Sequence, residues 1–143
     1  MIIFFSILLF ASTANASSDW PSTPQDCFAA TIYHEARGEP LVGQYLVGQV
    51  IINRVHSTRY PNDICSVIKQ NRQFSWYHEV RHKFPTDRYA WERAKSITKK
   101  FLLGKVTLDL SEGALFYHAS YMTPWWAKNK TFIIEVAGHK FYR

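Results

Sequence analysis

The sequence predicts an α+β domain, with helices first and a small antiparallel β-sheet in the C-terminal third. Apolar residues recur at helical spacing through residues 27–103. Beyond them the chain changes to short aromatic or β-branched runs separated by turn residues, which is typical of strands. Helices that precede strands, instead of alternating with them, indicate α+β architecture.

The first two predicted helices are separated by a break at Gly38 and Pro40. Asp26 is the expected N-cap of a helix over 27–36, which should stop there because the residue before a proline avoids the α region. Pro40 suits the first position of a second helix, over 40–55. This second helix is apolar around most of its circumference, so we expect it to be buried at the centre of the core.

The later elements follow from apolar spacing and turn residues. A third helix is predicted over 63–70 and a longer one over 86–103, which should end at Gly104. The aromatic segment between these two helices, QFSW at 73–76, favours an extended strand or a cleft wall over a helix. Strands are predicted over 114–118, 132–136 and 139–142, with a tight turn at Ala137-Gly138 joining the last two.

The first sixteen residues have the pattern of a secretory signal peptide. They carry no charged side chain, their apolar run is shorter than the roughly 20 residues that span a bilayer, and Ala14-Asn15-Ala16 is a cleavage signature. An uncleaved anchor is the alternative, since the usual basic residue near the N-terminus is missing. We expect cleavage after Ala16, a linker over 17–26 and one domain over 27–143, exported to the periplasm or the extracellular cell wall.

The net charge of the chain indicates which kinds of partner it can bind. The chain has 17 Lys and Arg against 11 Asp and Glu, a net charge of +6. In an exported monomer without stable membrane insertion, this surplus favours an anionic envelope polymer or phospholipid head groups over nucleic acid. A solvated surface is the alternative, since the charges are scattered.

Cys27 and Cys65 should form one disulfide in an oxidising compartment, unless both are buried thiols.

Two glutamates flank the break between the first helices, and a histidine precedes the first of them. His34-Glu35 begins like a zinc-binding H-E-x-x-H helix, but Gly38 stands where the second histidine belongs. The remaining histidines offer no paired spacing on one helix beyond His78 and His82, which border a charged loop. We therefore predict no metal and no cofactor.

Glu35 is instead the candidate general acid. A carboxyl between a helix end and an apolar wall keeps its proton to higher pH, and breaking a glycosidic bond requires that proton. The alternative is a structural carboxylate paired with Arg37 or Arg54. Glu39 precedes a proline at the start of the next helix, whose dipole favours its anion. We assign Glu39 a structural role, in ion pairs with Arg37 or Arg54.

Several separated motifs, in order, resemble the SleB-type cell wall hydrolases, which are spore cortex-lytic enzymes and their relatives. The resemblance runs from 27 to 142 and rests on CFAATIYHEARGEPLVGQYLVGQVIINRV, YPNDICSVI, QFSW, GALFYH and GHKFY. It implies a lysozyme-like α+β domain acting on peptidoglycan glycan strands as a lytic transglycosylase. Glu35 would be its single catalytic glutamate. It would protonate the bond after a muramic acid, whose own 6-hydroxyl then closes a 1,6-anhydro ring.

The resemblance also suggests residues that bind the substrate. Aromatic rings expected to stack on sugars are Phe74, Trp76, Tyr117, Trp125 and Trp126. Polar side chains expected to bond hydroxyl or acetamido groups are Gln73, Ser75, His118 and His139. For each of them the alternative is ordinary packing or a structural hydrogen bond.

Two other functions remain open. An N-acetylmuramoyl-L-alanine amidase usually needs zinc, and the missing metal spacing argues against it. A non-catalytic peptidoglycan-binding protein would leave Glu35 as a structural ion pair. A nucleic-acid binder is disfavoured by the signal peptide and the scattered charge.

Overall fold

Helices come first and a small sheet last in the computed structural model, which describes residues 20–79 and 83–143. The predicted signal peptide lies outside these residues, so its cleavage stays a prediction. In the described ranges no helix is long and apolar enough to cross a membrane. The elements are α1 Pro24–Ala36, α2 Leu41–His56, α3 Ile64–Lys69, α4 Ser75–Glu79, α5 Arg88–Leu102, β1 Phe116–Ala119, a 3-10 turn Ala127–Asn129, β2 Phe132–Val136 and β3 His139–Tyr142.

Helix α1 begins inside the predicted linker. Its N-cap is Thr23, whose hydroxyl accepts a hydrogen bond from the Asp26 N–H at 3.1 Å, and Pro24 takes the first helical position. The prediction of Asp26 as the cap was therefore wrong. The Thr-Pro pair gives an earlier start, and the Asp26 carboxylate lies in the first turn, where the helix dipole favours it. Trp20, just before, stacks on Phe84 with ring centroids 4.6 Å apart.

The other boundaries lie close to their predictions. Pro40 is the N-cap residue of α2, Asp63 caps α3, and Asp87 caps α5. After α5 comes Gly104 at φ +66°, a left-handed conformation that glycine adopts at low cost and that ends a helix.

The segment at 73–76 does not form a strand, which was one of the two structures predicted for it. Ser75 begins the short helix α4, in which Trp76 is buried, and Phe74 is buried directly before it. Four residues with aromatics at alternate positions fit both a strand and one helical turn, so the spacing could not separate them.

The main core lies between α1 and the helices packed around it, α2, α3 and α5. The predicted disulfide is confirmed: Cys27 of α1 is bonded to Cys65 of α3, a separation of 38 residues. Helix α2 packs closely against α5 at Gly48, where an added Cβ would lie 2.7 Å from Cε2 of Phe101.

The three strands form an antiparallel sheet in the order β1-β3-β2. The predicted turn between β2 and β3 is confirmed, with Ala137 at φ 51° and Gly138 at φ 74°, as a type I′ hairpin requires. Leu46 and Val50 of α2 pack on Phe141 of β3. This contact holds the sheet beside the break between α1 and α2, where both glutamates lie.

Candidate active site

Glu35 lies in the last turn of α1, facing the sheet. Its Oε2 accepts a hydrogen bond from the Tyr117 hydroxyl of β1 at 2.9 Å. A helix end and a strand far apart in sequence therefore meet at this carboxyl. The contact leaves Oε1 as the oxygen that can carry a proton.

The surroundings of Glu35 favour its neutral form. Burial raises the pKa of Glu35, while the Tyr117 hydrogen bond and the positive charge of Arg54 lower it by less. Burial together with the neighbouring Glu35 raises the pKa of Tyr117 well above its usual value, so this hydroxyl stays a donor. The predicted protonatable carboxyl is consistent with this geometry.

Arg54 is a buried cation held in a fixed position. Its Nε donates to the Leu115 carbonyl at 2.8 Å, and its guanidinium lies over the rings of Tyr60 and Phe74, at 5.3 and 5.1 Å. Its side chain is 4% exposed, and Nη1 has no hydrogen-bond partner. Burial lowers the pKa of Arg54, partly offset by Tyr60, but an arginine remains charged at any physiological pH.

The ion pair expected for Glu39 is wrong, and the pair that was the alternative role of Glu35 is not formed either. In residues 20–79 and 83–143 the side-chain ion pairs within 4.0 Å are Lys95–Glu92 and Lys140–Glu135.

Arg37 and Glu39 instead face other neighbours. Arg37 folds back over Tyr33, with its guanidinium 4.8 Å from the ring centroid. The Glu39 carboxylate lies at the β2–β3 turn, 3.2 Å from where a Cβ on Gly138 would stand, and its backbone carbonyl accepts from Gln44 at 2.9 Å.

Glu35 lies where two sections of a groove adjoin. The central section, a cavity of about 410 Å³, is lined by Glu35, Arg54, Arg72, Gln73, Ser75, Tyr117, His118, Ala119, Tyr121, Met122 and His139. The helical arm, about 440 Å³, shares Glu35 and Ser75 with it and adds Tyr33, His34, Arg37, Trp76, Glu79, Phe84 and Thr86. The basic arm, about 450 Å³, shares Arg54, Arg72, Gln73 and Tyr117 with it and adds Phe116, Trp126 and Lys130.

The groove brings most of the predicted substrate-binding residues together. Gln73, Ser75, Tyr117 and His139 line the central section, and Trp126 lines the basic arm. Trp125 is 78% exposed and lies outside these linings.

Three of the predicted contacts require correction. Phe74 is 1% exposed and packs under Arg54, so its ring has no face to offer a sugar. Trp76 lines the helical arm, but one face of its ring is covered by the His34 imidazole, 4.6 Å away. Both ring nitrogens of His118 are taken: Nδ1 donates to the Ala119 carbonyl at 2.8 Å, which leaves Nε2 to accept from the Tyr142 hydroxyl at 2.9 Å. His118 therefore has the structural role that was its alternative.

The histidine that suggested a metal site is engaged elsewhere. Nε2 of His34 donates to the Lys83 carbonyl at 2.8 Å, and burial lowers its pKa. In the part of the chain that the structure describes, no three His, Cys, Asp or Glu side chains are grouped as metal ligands.

Sequence reasoning missed two cations of the groove, Arg72 and Lys130. Neither lies in a motif, and Arg72 comes into the groove through a left-handed backbone at φ 63°. Its only signal was its position beside the aromatic segment at 73–76.

The family model described as Cell Wall Hydrolase matches residues 38–142. The chain belongs to the cell wall hydrolase family. It is 29% identical over 128 residues to a spore cortex-lytic enzyme of Halalkalibacterium halodurans, covering 89% of this chain and 37% of that enzyme. A spore cortex-lytic enzyme of Oceanobacillus iheyensis is 27% identical over 131 residues, covering 90% of this chain and 45% of that enzyme. The chain thus spans less than half the length of these curated relatives.

Two solved structures share the fold. The catalytic domain of the germination-specific lytic transglycosylase SleB from Bacillus anthracis aligns with a TM-score of 0.69 and 27% identity, over 89% of this chain and 99% of that one. The catalytic domain of the Bacillus cereus SleB protein aligns with a TM-score of 0.67 and 24% identity, over 94% and 100%. The SleB-type resemblance and the lysozyme-like α+β fold class are confirmed.

Proposed function

We propose that this chain cleaves the glycan strands of peptidoglycan as a lytic transglycosylase, with Glu35 as its general acid. The observation that carries the proposal is a carboxyl with a raised pKa where two sections of one groove adjoin. A solved relative named as a lytic transglycosylase and family membership support the substrate class.

The reaction uses one carboxyl twice. Glu35 gives its proton, carried on Oε1, to the oxygen that links C1 of a muramic acid to the next sugar, and the C1–O bond breaks. Tyr117 stabilises the carboxylate that forms, through its hydrogen bond to Oε2. The 6-hydroxyl of the same muramic acid then attacks C1, and its proton returns to Glu35. The products are a 1,6-anhydro end and a free 4-hydroxyl, and no water is consumed.

The composition of the groove supports a one-carboxylate mechanism. Hydrolytic glycosidases usually place a second carboxylate across the bond, as nucleophile or base. Of the described residues that line the central section, Glu35 alone carries a carboxylate. The Glu79 carboxylate lines the helical arm but not the central section.

Digestion of purified sacculi, with mass spectrometry of the released muropeptides, tests the proposal. We expect 1,6-anhydro products, and Glu35→Gln should lower the rate by about 10²-fold or more, the usual contribution of general acid–base catalysis. Glu39→Gln is the matched control and should retain activity.

Each other outcome would replace the proposal. Reducing ends would mean a hydrolytic muramidase, and freed stem peptides an amidase. Binding to sacculi without any cleavage would mean a wall-binding protein.

The substrate also implies where the chain works. Peptidoglycan lies outside the cytoplasm, so the proposal includes export and cleavage after Ala16. It also includes action as a monomer. N-terminal sequencing of the exported protein should begin at Ser17, and light scattering should give the mass of one chain.

A further inference from the structure

The two arms of the groove differ in charge. The basic arm is lined by Arg54, Arg72 and Lys130, and none of its described lining residues is acidic. The helical arm, in contrast, carries the carboxyls of Glu35 and Glu79 beside one arginine. A glycan strand lying in the groove would therefore meet a positive potential on one side of Glu35 only.

Arg54 is the fixed part of the basic arm. Its position is held through Nε and two aromatic rings, while the buried Nη1 has no partner among the described residues. Arg54 lines the cavity of the basic arm, so its guanidinium places a fixed positive charge at the wall, which favours an anionic ligand there. Carboxylate and phosphate groups are the anions that hydrogen-bond most strongly to a guanidinium.

The rest of the arm suits a sugar that carries an anionic group. Phe116 and Trp126 pack with ring centroids 5.9 Å apart on its wall, and the Lys130 ammonium lies 4.2 Å from the Phe116 ring. Arg72 also lines the arm, from a backbone conformation that non-glycine residues seldom adopt. Aromatic faces for a sugar and cations for its substituent thus occur together.

We propose that the basic arm binds a carboxylate carried by the glycan strand and so makes the protein prefer anionic strands over neutral ones. The carboxylate has two sources in peptidoglycan: the lactyl group of a muramic acid freed of its peptide, or the stem peptide itself. This inference rests on the proposed function for its substrate, and it concerns how the strand is recognised, not how the bond breaks.

The test compares glycan strands of equal length in three forms. The first keeps its stem peptides, the second is stripped to free lactyl carboxylates, and the third is the stripped strand with those carboxylates converted to methylamides. Wild-type protein should show a KM about tenfold or more higher for the third form than for the second, the loss of a charge-assisted hydrogen bond, with kcat little changed. If the KM for strands with stem peptides equals that for the methylamide strands, the site binds the lactyl carboxylate. If it equals the KM for the stripped strands, the site accepts either carboxylate.

Variants link the preference to the arm. Arg72→Gln and Lys130→Gln should each reduce the KM difference between the second and third forms, and together reduce it further, with Arg54 left as the cation of the arm. Lys128→Gln is the matched control, because Lys128 is exposed in the neighbouring 3-10 turn and outside the groove linings. Equal KM for anionic and neutral strands in the wild type, or a preference unchanged in the double variant, would overturn the inference.

Calorimetric binding to the Glu35→Gln protein separates this inference from the proposed function. If the wild-type protein cleaves no strand but the Glu35→Gln protein still binds the stripped strand about tenfold more tightly than its methylamide, the proposed reaction is wrong and the carboxylate site stands. If strands are cleaved and both forms bind equally, the reaction stands and the carboxylate site is wrong.

Discussion

Replacing Tyr117 by phenylalanine should move the alkaline limb of the pH–activity profile to higher pH. The Tyr117 hydroxyl donates to Glu35 Oε2 at 2.9 Å and favours the carboxylate, which lowers the pKa of Glu35 against the effect of burial. Without that bond, less opposes the effect of burial, so the pKa of Glu35 rises and the acid keeps its proton to higher pH.

The size of this effect follows from the strength of the bond. A hydrogen bond to a charged group contributes about 1.5–3 kcal/mol. One pH unit corresponds to about 1.36 kcal/mol. Water can enter the open groove and replace part of the bond, so the lower end applies, and the limb should rise by about one pH unit.

The assay is kcat/KM on soluble glycan strands across the pH range, since this quantity reports ionisations of the free enzyme. Tyr142→Phe is the matched control, because the Tyr142 hydroxyl is bonded to His118 and not to Glu35. An alkaline limb that stays in place or moves down in Tyr117→Phe would refute the reasoning. So would an equal shift in the control.

Three further predictions concern stability. Burial raises the pKa of Glu35, so the stability that this carboxyl contributes is complete below its pKa in the unfolded chain and is lost as the pH rises through its pKa in the folded protein. Glu35→Gln should therefore raise Tm at about pH 8 but change it little at about pH 4. An equal gain from Glu39→Gln would contradict this. Cys65→Ala, which opens the bond to Cys27, should cost roughly 3 to 4 kcal/mol of unfolding free energy in urea titrations, and an unchanged midpoint would contradict it. Phe74→Ala should cost about 3–5 kcal/mol in the same assay, whereas a small loss with a raised KM would restore its predicted role as a sugar platform.

Much of the fold was predictable because local signals and tertiary packing agree. The strands at 132–136 and 139–142 and their turn match the sequence prediction, since Ala137-Gly138 joins two β-branched or aromatic runs. Helix α2 was predicted from its apolar circumference, but its expected place at the centre of the core was wrong, because α1 lies there with α2, α3 and α5 packed around it. The start of α1 was missed because Asp26 and Thr23 can both cap a helix, and the Thr-Pro pair decided between them.

The site was less predictable, because its contacts join residues far apart in the chain. Glu35 could be chosen as the acid from its helix and its resemblance, but the donor that holds it comes from β1, 82 positions later. For Phe74 and His118 the sequence could not decide between groove and core, since aromatic side chains serve equally well in both. Arg54 was expected in an ion pair and instead lies over aromatic rings.

A direct titration of the Glu35 side chain tests the central claim of this account. The ¹³C-labelled carboxyl of Glu35 would be followed by NMR across the pH range and identified by its absence in Glu35→Gln. Burial between the end of α1 and the sheet predicts a midpoint above the usual value of a glutamate. A midpoint at or below that value would leave the groove without a proton donor near neutral pH and would contradict the mechanism.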